Sequence, residues 1–279
     1  MGFNDLSRRS LLAGALSGVG LTVLGGTAAR AAAQAPRRVL IATNEPWGTY
    51  HAAPLLPVEA PRAKEFRERL RAITASSPAE AKVFDDYLGT RRPITVVGTP
   101  QTDDLPRHVP EEGTVLVLTS VTKSSGTGGS APGTDLLLAA AERLAAAGKH
   151  ILVGLHPRED RSLWERYEIS AVPSVQAAAR AEAAIGIPGT VFPVVAAVGV
   201  PLVGCTDPRL QIPDYLLSVC THTISSADDA VTAVKTAEPV SRQVLYEAVG
   251  PVGGSARRLF KVWRKAGFRA HAAPVTAFP

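Results

Sequence analysis

The chain has 279 residues and a formal net charge of +5, with 46% hydrophobic and 20% charged residues. That composition favours a soluble globular protein and supplies enough apolar residues for a sizeable core. The basic residues are scattered along the chain, so its charge does not indicate nucleic-acid binding. After the first 31 residues, no apolar run is long enough to suggest a membrane-spanning helix.

The first 31 residues have the pattern of a twin-arginine export signal. Arg8 and Arg9 precede an apolar stretch at residues 13–27 that glycines interrupt, and an Ala-x-Ala cleavage site follows at residues 29–31. The stretch is shorter than the roughly 20 apolar residues that a spanning helix needs. We therefore expect export and an extracytoplasmic location, secreted or in the cell envelope. A retained anchor is the alternative, and membrane contact is expected only through that uncleaved segment.

Apolar, β-rich runs alternate with alanine-rich helical patterns along the rest of the chain, which is typical of an α/β fold with a parallel sheet. The runs are continuously apolar, so both faces of each strand should be buried. Strands are predicted at residues 38–43, 94–98, 114–119, 150–155, 183–187, 201–204 and 221–225. Helices are predicted at residues 62–75, 79–88, 133–147, 174–181, 190–198, 228–235, 241–248 and 254–266. A Pro- and Asp-rich stretch at residues 98–113 separates a short first part from a longer second part.

A serine- and glycine-rich loop at residues 120–133 follows one predicted strand and precedes a predicted helix. Parallel α/β sheets bind ligands at such loops, where glycines let backbone amides approach an anion. Ser124 and Gly126 are therefore candidate binding residues. The loop lacks the Gly-Lys-Ser/Thr ending of a Walker A motif. A flexible surface loop without a ligand is the alternative.

Two further strand ends carry candidate site residues. His156 and Arg158 directly follow the predicted strand 150–155. A histidine can share a proton with a phosphate or hydroxyl, and an arginine can hold a phosphate with two hydrogen bonds. Gly189 and Thr190 lie where a strand passes into a helix, and we expect Thr190 to cap a helix N-terminus that suits a pyrophosphate. The alternatives are a structural histidine and an ordinary strand-to-helix turn.

The order of these motifs resembles the C-terminal, donor-binding half of GT-B-fold glycosyltransferases and their relatives, including UDP-N-acetylglucosamine 2-epimerases and CDP-glycerol transferases. The similarity covers residues 93–268 and is carried by the segments 94–103, His156-Pro157-Arg158, Pro188-Gly189-Thr190, 196–201 and 249–256. It implies a Rossmann-like donor-binding domain at residues 93–279, in which Gly189 and Thr190 contact donor phosphates. The chain departs from this family in its N-terminal α/β part, which is shortened to residues 36–92 and has His51 where an acceptor-side base could lie.

Two hypotheses about function follow. The first is a reduced GT-B-type glycosyltransferase or glycerophosphotransferase that binds a nucleotide sugar, a sugar phosphate or a related phosphorylated donor. Its predicted catalytic residues are His51 and His156, and its predicted donor-binding residues are Arg158, Gly189, Thr190, Ser124 and Gly126. The second is a non-catalytic exported protein that holds a sugar phosphate or glycan, which the shortness of the first part favours. No cofactor is predicted.

Acidic and sulfur-containing residues leave further possibilities open. A carboxylate pair for glycoside hydrolysis could come from residues near strand ends and loops, namely Glu45, Asp103, Asp104, Glu159, Asp160 and Asp207. The two cysteines, Cys205 and Cys220, could pair in an oxidising compartment or act as small buried apolar residues. Neither their spacing nor nearby histidines suggest a zinc site, and no metal site is predicted.

Overall fold

The structure, a computed structural model, describes residues 72–88, 92–120 and 132–267. These residues all lie within one unit that spans Val39–Pro279. Several predicted features lie outside the described residues, namely the export signal, the strand at 38–43, His51, Ser124 and Gly126. The division of the chain at residue 93 stays a prediction.

The first described elements form a small parallel pair. Strand β1 (Ile73–Ala75) pairs with β2 (Ile94–Val96), and helix α1 (Pro78–Leu88) connects them. The predicted helix at 62–75 is therefore wrong at its end, because Ile73 and Thr74 are β-branched and pair with Ile94 and Thr95 in an extended conformation. β2 belongs to this pair and not to the main sheet, although the family resemblance placed it in the domain at residues 93–279.

The main sheet has six parallel strands. In chain order they are β3 (Thr114–Leu118), β4 (His150–Gly154), β5 (Glu168–Ile169), β6 (Ala183–Gly186), β7 (Leu202–Cys205) and β8 (His222–Ile224). Their order across the sheet is β5-β4-β3-β6-β7-β8. From β3 the chain adds β4 and then β5 on one side. It then returns to the other side of β3, where it adds β6, β7 and β8, which is the Rossmann order. The predicted α/β, Rossmann-like parallel sheet is confirmed.

Helices cover both faces of this sheet. The helices that follow β3 within the described residues are α2 (Thr134–Ala146), α3 (Ser174–Ala177), α4 (Phe192–Val198), α5 (Asp214–Leu217), α6 (Ala230–Thr236), α7 (Arg242–Val249) and α8 (Ser255–Lys265). α3 is shorter than predicted because the chain tightens into a 3-10 turn at Ala178–Arg180. Neither β5 nor α5 was predicted. No helix within the described residues is long and apolar enough to cross a membrane.

The central strands are buried on both faces, as their continuous apolar sequences predict. Val115 and Val117 of β3 pack with α2 and α6 on one face, whereas Leu116 and Leu118 pack with α4 on the other. All four side chains are at most 1% exposed. The period-2 geometry of a strand sends alternate residues to opposite faces, so both faces of β3 require apolar side chains.

The last described helix is fastened to the segment that follows β2. The Asp103 carboxylate accepts hydrogen bonds from the backbone N–H and the hydroxyl of Ser255, both at 2.8 Å, and from the Ala256 N–H at 3.3 Å. Arg258 donates to the carbonyl oxygens of Val97 and Pro251, both at 2.7 Å. Asp103, a candidate acid in the sequence, therefore caps α8.

Candidate functional site

The strand order places the expected ligand crevice of an open α/β sheet at the carboxyl ends of β3 and β6. These strands are neighbours, but the connections that follow them run to opposite sides of the sheet, and open α/β sheets bind ligands at such a point. Gly186 ends β6 opposite Leu118, and a Cβ at Gly186 would lie 2.3 Å from the Leu118 carbonyl oxygen. Only glycine allows the ends of β3 and β6 to approach each other so closely.

His156 lies beside this crevice, two residues after the end of β4. Its backbone N–H donates to the hydroxyl of Thr119, the residue after β3, at 2.8 Å. Thr119 is 8% exposed, so the contact fixes the two strand ends from within the protein. The predicted site residue His156 is thus joined to the end of β3.

The protonation of His156 follows from its neighbours. The Arg158 N–H donates to His156 Nδ1 at 3.1 Å, so in the neutral ring the proton resides on Nε2. Burial lowers the pKa of His156 below its ordinary value of 6.5, and the charge of Arg158 lowers it further. At neutral pH the ring is therefore uncharged and presents Nε2–H as a hydrogen-bond donor.

The other charged residues of this loop are partly engaged. Arg158 is exposed. Burial raises the pKa of Glu159, and the negative charge of Asp160 raises it further. A hydrogen bond from the Asp160 N–H lowers this pKa but does not outweigh the burial. Asp160 caps a 3-10 turn by accepting from the Ser162 N–H at 3.1 Å and its hydroxyl at 2.7 Å. Of this loop, His156 and Arg158 are the groups best suited to a ligand.

Gly189 and Thr190 follow β6 on the other side of β3. They lie in a turn, because α4 begins at Phe192, two residues later than predicted. Val191 occupies the N-cap position and no side chain caps the helix, so the predicted capping role of Thr190 is wrong. Gly189 has room around it, since an added Cβ would meet only the Ile187 carbonyl oxygen at 3.7 Å. Neither packing nor a positive φ requires glycine there.

Thr190 lines a small cavity of about 40 Å³ that opens to solvent. Its opposite wall comes from the start of α1, with the turn before it, and from the segment after β2. The described lining residues are Ser76, Ser77, Glu80, Thr99, Gln101, Thr190, Pro193, Val194, Tyr215, Ala248 and Val249. Most of the polar groups here are neutral hydroxyls and an amide, and the described lining contains no lysine or arginine.

The cavity wall formed by Ser76, Ser77 and Glu80 was not predicted from the sequence. Ser77 and Glu80 have the Ser-x-x-Glu spacing of a helix capping box, which indicates a helix start and not a binding site. In the structure, these residues do cap the start of α1. The Glu80 carboxylate accepts from the Ser76 N–H at 2.5 Å and its hydroxyl at 2.7 Å, and the Glu80 N–H donates to the Ser77 hydroxyl at 3.1 Å. The same capping turn also forms part of the cavity wall.

Asp207 lies after β7 and belongs to a local ion pair. Its carboxylate accepts from Arg209 at the backbone N–H and Nε, both at 2.9 Å, and at a terminal guanidinium nitrogen at 2.6 Å. Arg209 hydrogen bonding is the main cause that lowers the pKa of Asp207, and the backbone N–H of Gly133 contributes as well. Gly133 precedes α2, so Asp207 compensates the N-terminal end of that helix.

The cysteines are not paired in the structure. Both are free thiols, with Cys205 buried and Cys220 half-buried. Burial raises the pKa of each thiol to about 12, and the proximity of Cys220 adds to the effect at Cys205. Across the described parts of the chain, no group of three or more metal-binding side chains is present.

Comparisons with known proteins give similarity at the level of structure. No protein-family model matches the chain, and no curated protein matches it. Similar solved structures include the glycosyltransferase AviGT4 of avilamycin A biosynthesis, 19% identical over 70% of this chain and 64% of that one, with a TM-score of 0.40. UDP-GlcNAc 2-epimerase from Methanocaldococcus jannaschii is 12% identical over 72% of this chain and 64% of that one, with a TM-score of 0.46.

A third similar structure is the wall teichoic acid polymerase TagF. It is 11% identical over 73% of this chain and 59% of that one, with a TM-score of 0.46. This chain therefore spans less than two thirds of the length of each of the three proteins.

Proposed function

We propose that the chain is a reduced GT-B-type glycosyltransferase-like protein that binds a nucleotide sugar or a related phosphorylated donor across the end of β3. The observation that carries the proposal is the crevice between β3 and β6, with His156 fixed to the end of β3 through Thr119. The order of motifs along the sequence supports it independently.

The spacing of the strands supports a ligand that bridges β4 and β6. These strands flank β3 on either side, and neighbouring strands are about 4.8 Å apart, so His156 and Gly189 follow strand ends that are about 10 Å apart. A phosphate and an attached sugar ring can lie across such a gap. His156 and Arg158 then meet one end of the ligand, and the turn at Gly189 and Thr190 meets the other.

Each residue has a role that its chemistry allows. His156 donates from Nε2 to a phosphate or hydroxyl oxygen, and Arg158 supplies the positive charge. The backbone near Gly189 can approach an oxygen closely because no side chain intervenes. During transfer, developing negative charge on the leaving phosphate would be stabilised by these donors. His51 and the loop residues Ser124 and Gly126 keep their predicted roles as a base and as phosphate-binding residues.

A second candidate function is non-catalytic binding of a sugar phosphate or glycan. The cavity beside Thr190 favours it, because the described lining offers hydroxyls and an amide but no basic side chain for a phosphate. Such a lining suits a neutral polyhydroxyl ligand. In this case the same protein would hold a glycan without transferring it.

A thermal-shift screen separates these proposals. The full chain is tested against UDP, CDP and GDP, their sugars, sugar phosphates and neutral oligosaccharides. A ligand at a hundredfold excess over its Kd adds about 2.7 kcal/mol of stability, which is readily detected. A selective nucleotide response supports the donor site, and a response to neutral sugars alone supports the glycan-holding protein. Silence from a cooperatively melting chain contradicts both.

A variant of His156 makes the screen specific to the proposed site. His156→Asn keeps an acceptor for the Arg158 N–H but removes the Nε2–H donor. We expect it to melt like the wild type and to lose at least tenfold in nucleotide affinity. Equal affinity in the two proteins would remove His156 from the site.

Export by the twin-arginine pathway is also proposed, on the pattern of the first 31 residues. Replacing Arg8 and Arg9 with lysine keeps the charge but removes the arginine pair. We expect the lysine variant to remain in the cytoplasm of a bacterial host, while the wild type appears in the extracytoplasmic fraction. The same distribution for both proteins would contradict the proposal.

A further inference from the structure

Helix α8 separates apolar and basic residues more sharply than a surface helix requires. Its sequence, SARRLFKVWRK, contains five basic residues and no acidic residue. At 100° per residue, one side of the helix carries Ala256, Leu259, Phe260, Val262 and Trp263. The other side carries Arg257, Arg258, Lys261, Arg264 and Lys265. The helix is therefore basic and amphipathic.

The rest of the protein covers only part of the apolar side. Leu259 and Val262 are half-buried against the protein. In contrast, Phe260 is 41% exposed and Trp263 is 37% exposed. These two residues are three positions apart and so share one flank of the helix. Arg257 and Arg264 lie three and four positions from Phe260 and border the same flank.

The helix is fixed in place and cannot readily turn this flank inward. Asp103 caps its first turn, and Arg258 holds it to the carbonyl oxygens of Val97 and Pro251. Val252, in the turn that leads into the helix, is 47% exposed as well. An apolar strip bordered by guanidinium groups is thus presented to the surroundings on a rigid support.

From this arrangement we infer that α8 is a docking surface for an anionic lipid membrane. Phe260 and Trp263 enter the interface between headgroups and acyl chains, where aromatic side chains are stable. Arg257, Lys261 and Arg264 contact the lipid phosphates. The charge selects the partner: Asp103 lies near Arg258 only, at the first turn, and the helix has no acidic residue of its own, so its remaining basic residues favour a negatively charged surface. This surface is separate from the proposed donor site and does not depend on it.

Co-sedimentation of the full chain with lipid vesicles tests the inference. One set of vesicles contains equal parts of phosphatidylglycerol and phosphatidylcholine, and the other contains phosphatidylcholine alone. We expect sedimentation with the anionic vesicles only, and weaker binding as salt screens the charges. Equal binding to both vesicle types, or to neither, overturns the inference.

Variants with matched controls assign the binding to α8. The triple change Arg257→Gln, Lys261→Gln and Arg264→Gln should weaken binding about a hundredfold, since each basic residue near an anionic surface contributes about fivefold. The control triple Lys82→Gln, Arg107→Gln and Lys235→Gln changes the net charge equally on other surfaces and should change binding less than threefold. Equal effects of the two triples would show a diffuse charge effect and overturn the inference.

The apolar contribution has its own pair of variants. Phe260→Ser with Trp263→Ser should reduce binding at least tenfold while the melting temperature stays close to that of the wild type, because both side chains are partly exposed. The control pair Val109→Ser and Val172→Ser removes side chains that are 61% and 50% exposed elsewhere. Undiminished vesicle binding by the variant with Phe260→Ser and Trp263→Ser would overturn the assignment to a membrane. The assignment would also be overturned if a segment of the chain or an acidic protein were found on this flank of α8.

Discussion

Replacing Asp103 with asparagine tests the attachment of α8. The carboxylate accepts three hydrogen bonds from Ser255 and Ala256, and the first turn of the helix has no acidic residue of its own. Loss of an N-cap side chain costs about 0.5–2 kcal/mol, and hydrogen bonds to a charged group are at the stronger end. Because Asp103 is exposed and its charge is screened, we expect Asp103→Asn to lower the free energy of unfolding by about 1 kcal/mol.

Urea unfolding at several pH values measures this effect. Partial burial raises the pKa of Asp103, but hydrogen bonds from Ser255 and Ala256 and the charge of Arg258 outweigh it, so the pKa lies below its ordinary value of 3.8. The contribution of the carboxylate is therefore present above pH 3.8 and is lost as the pH falls through the folded-state pKa.

The control is the neighbouring exposed residue Asp104, whose change to asparagine should alter stability by less than about 0.5 kcal/mol. The difference in stability between wild type and Asp103→Asn should narrow as the pH falls below 3.8 and through the lower pKa that Asp103 has in the folded state. If Asp103→Asn and Asp104→Asn unfold alike at neutral pH, the capping argument is refuted.

Three further predictions concern the crevice and the thiols. Gly189→Ala should unfold like the wild type, because its Cβ meets only an oxygen at 3.7 Å, yet it should bind a donor at least tenfold more weakly; unchanged affinity by titration calorimetry would show that the ligand does not approach this backbone. The pKa of His156 is lowered in the folded state, so wild-type stability should fall more steeply than that of His156→Asn as the pH drops below 6.5, and parallel curves from urea unfolding would contradict the buried neutral ring. Cys205 and Cys220, with pKa values of about 12, should react with a thiol reagent at neutral pH only after unfolding in urea, and rapid labelling of the folded protein would oppose their burial.

The sequence predicted the central strands because burial on both faces leaves a local signature. β3, β4 and β6 are continuous apolar runs, and such runs are distinctive. β5 has two residues and α5 has four, which is too short for any periodic pattern. The end of the predicted helix at 62–75 failed for a related reason, since the partner of Ile73 lies some twenty residues away at Ile94.

The sequence offers candidate residues for the site but not their arrangement in space. His156 was recognised from its place after a strand, whereas its contact with Thr119 depends on β4 lying beside β3. Strand order is a tertiary property that no short motif contains. The cavity wall at Ser76 and Glu80 could not be predicted, because the Ser-x-x-Glu spacing there indicates only the start of a helix.

Asp207 places a negative charge at the N-terminal end of α2, the helix that follows β3. In a dinucleotide-binding Rossmann fold, the helix after the first strand offers its amide end to a phosphate. Here the corresponding end, at Gly133, already faces a carboxylate that Arg209 neutralises. A phosphate at Gly133 would compete with the Asp207 carboxylate for the same helix end. The Rossmann strand order alone therefore does not make this helix end a dinucleotide site.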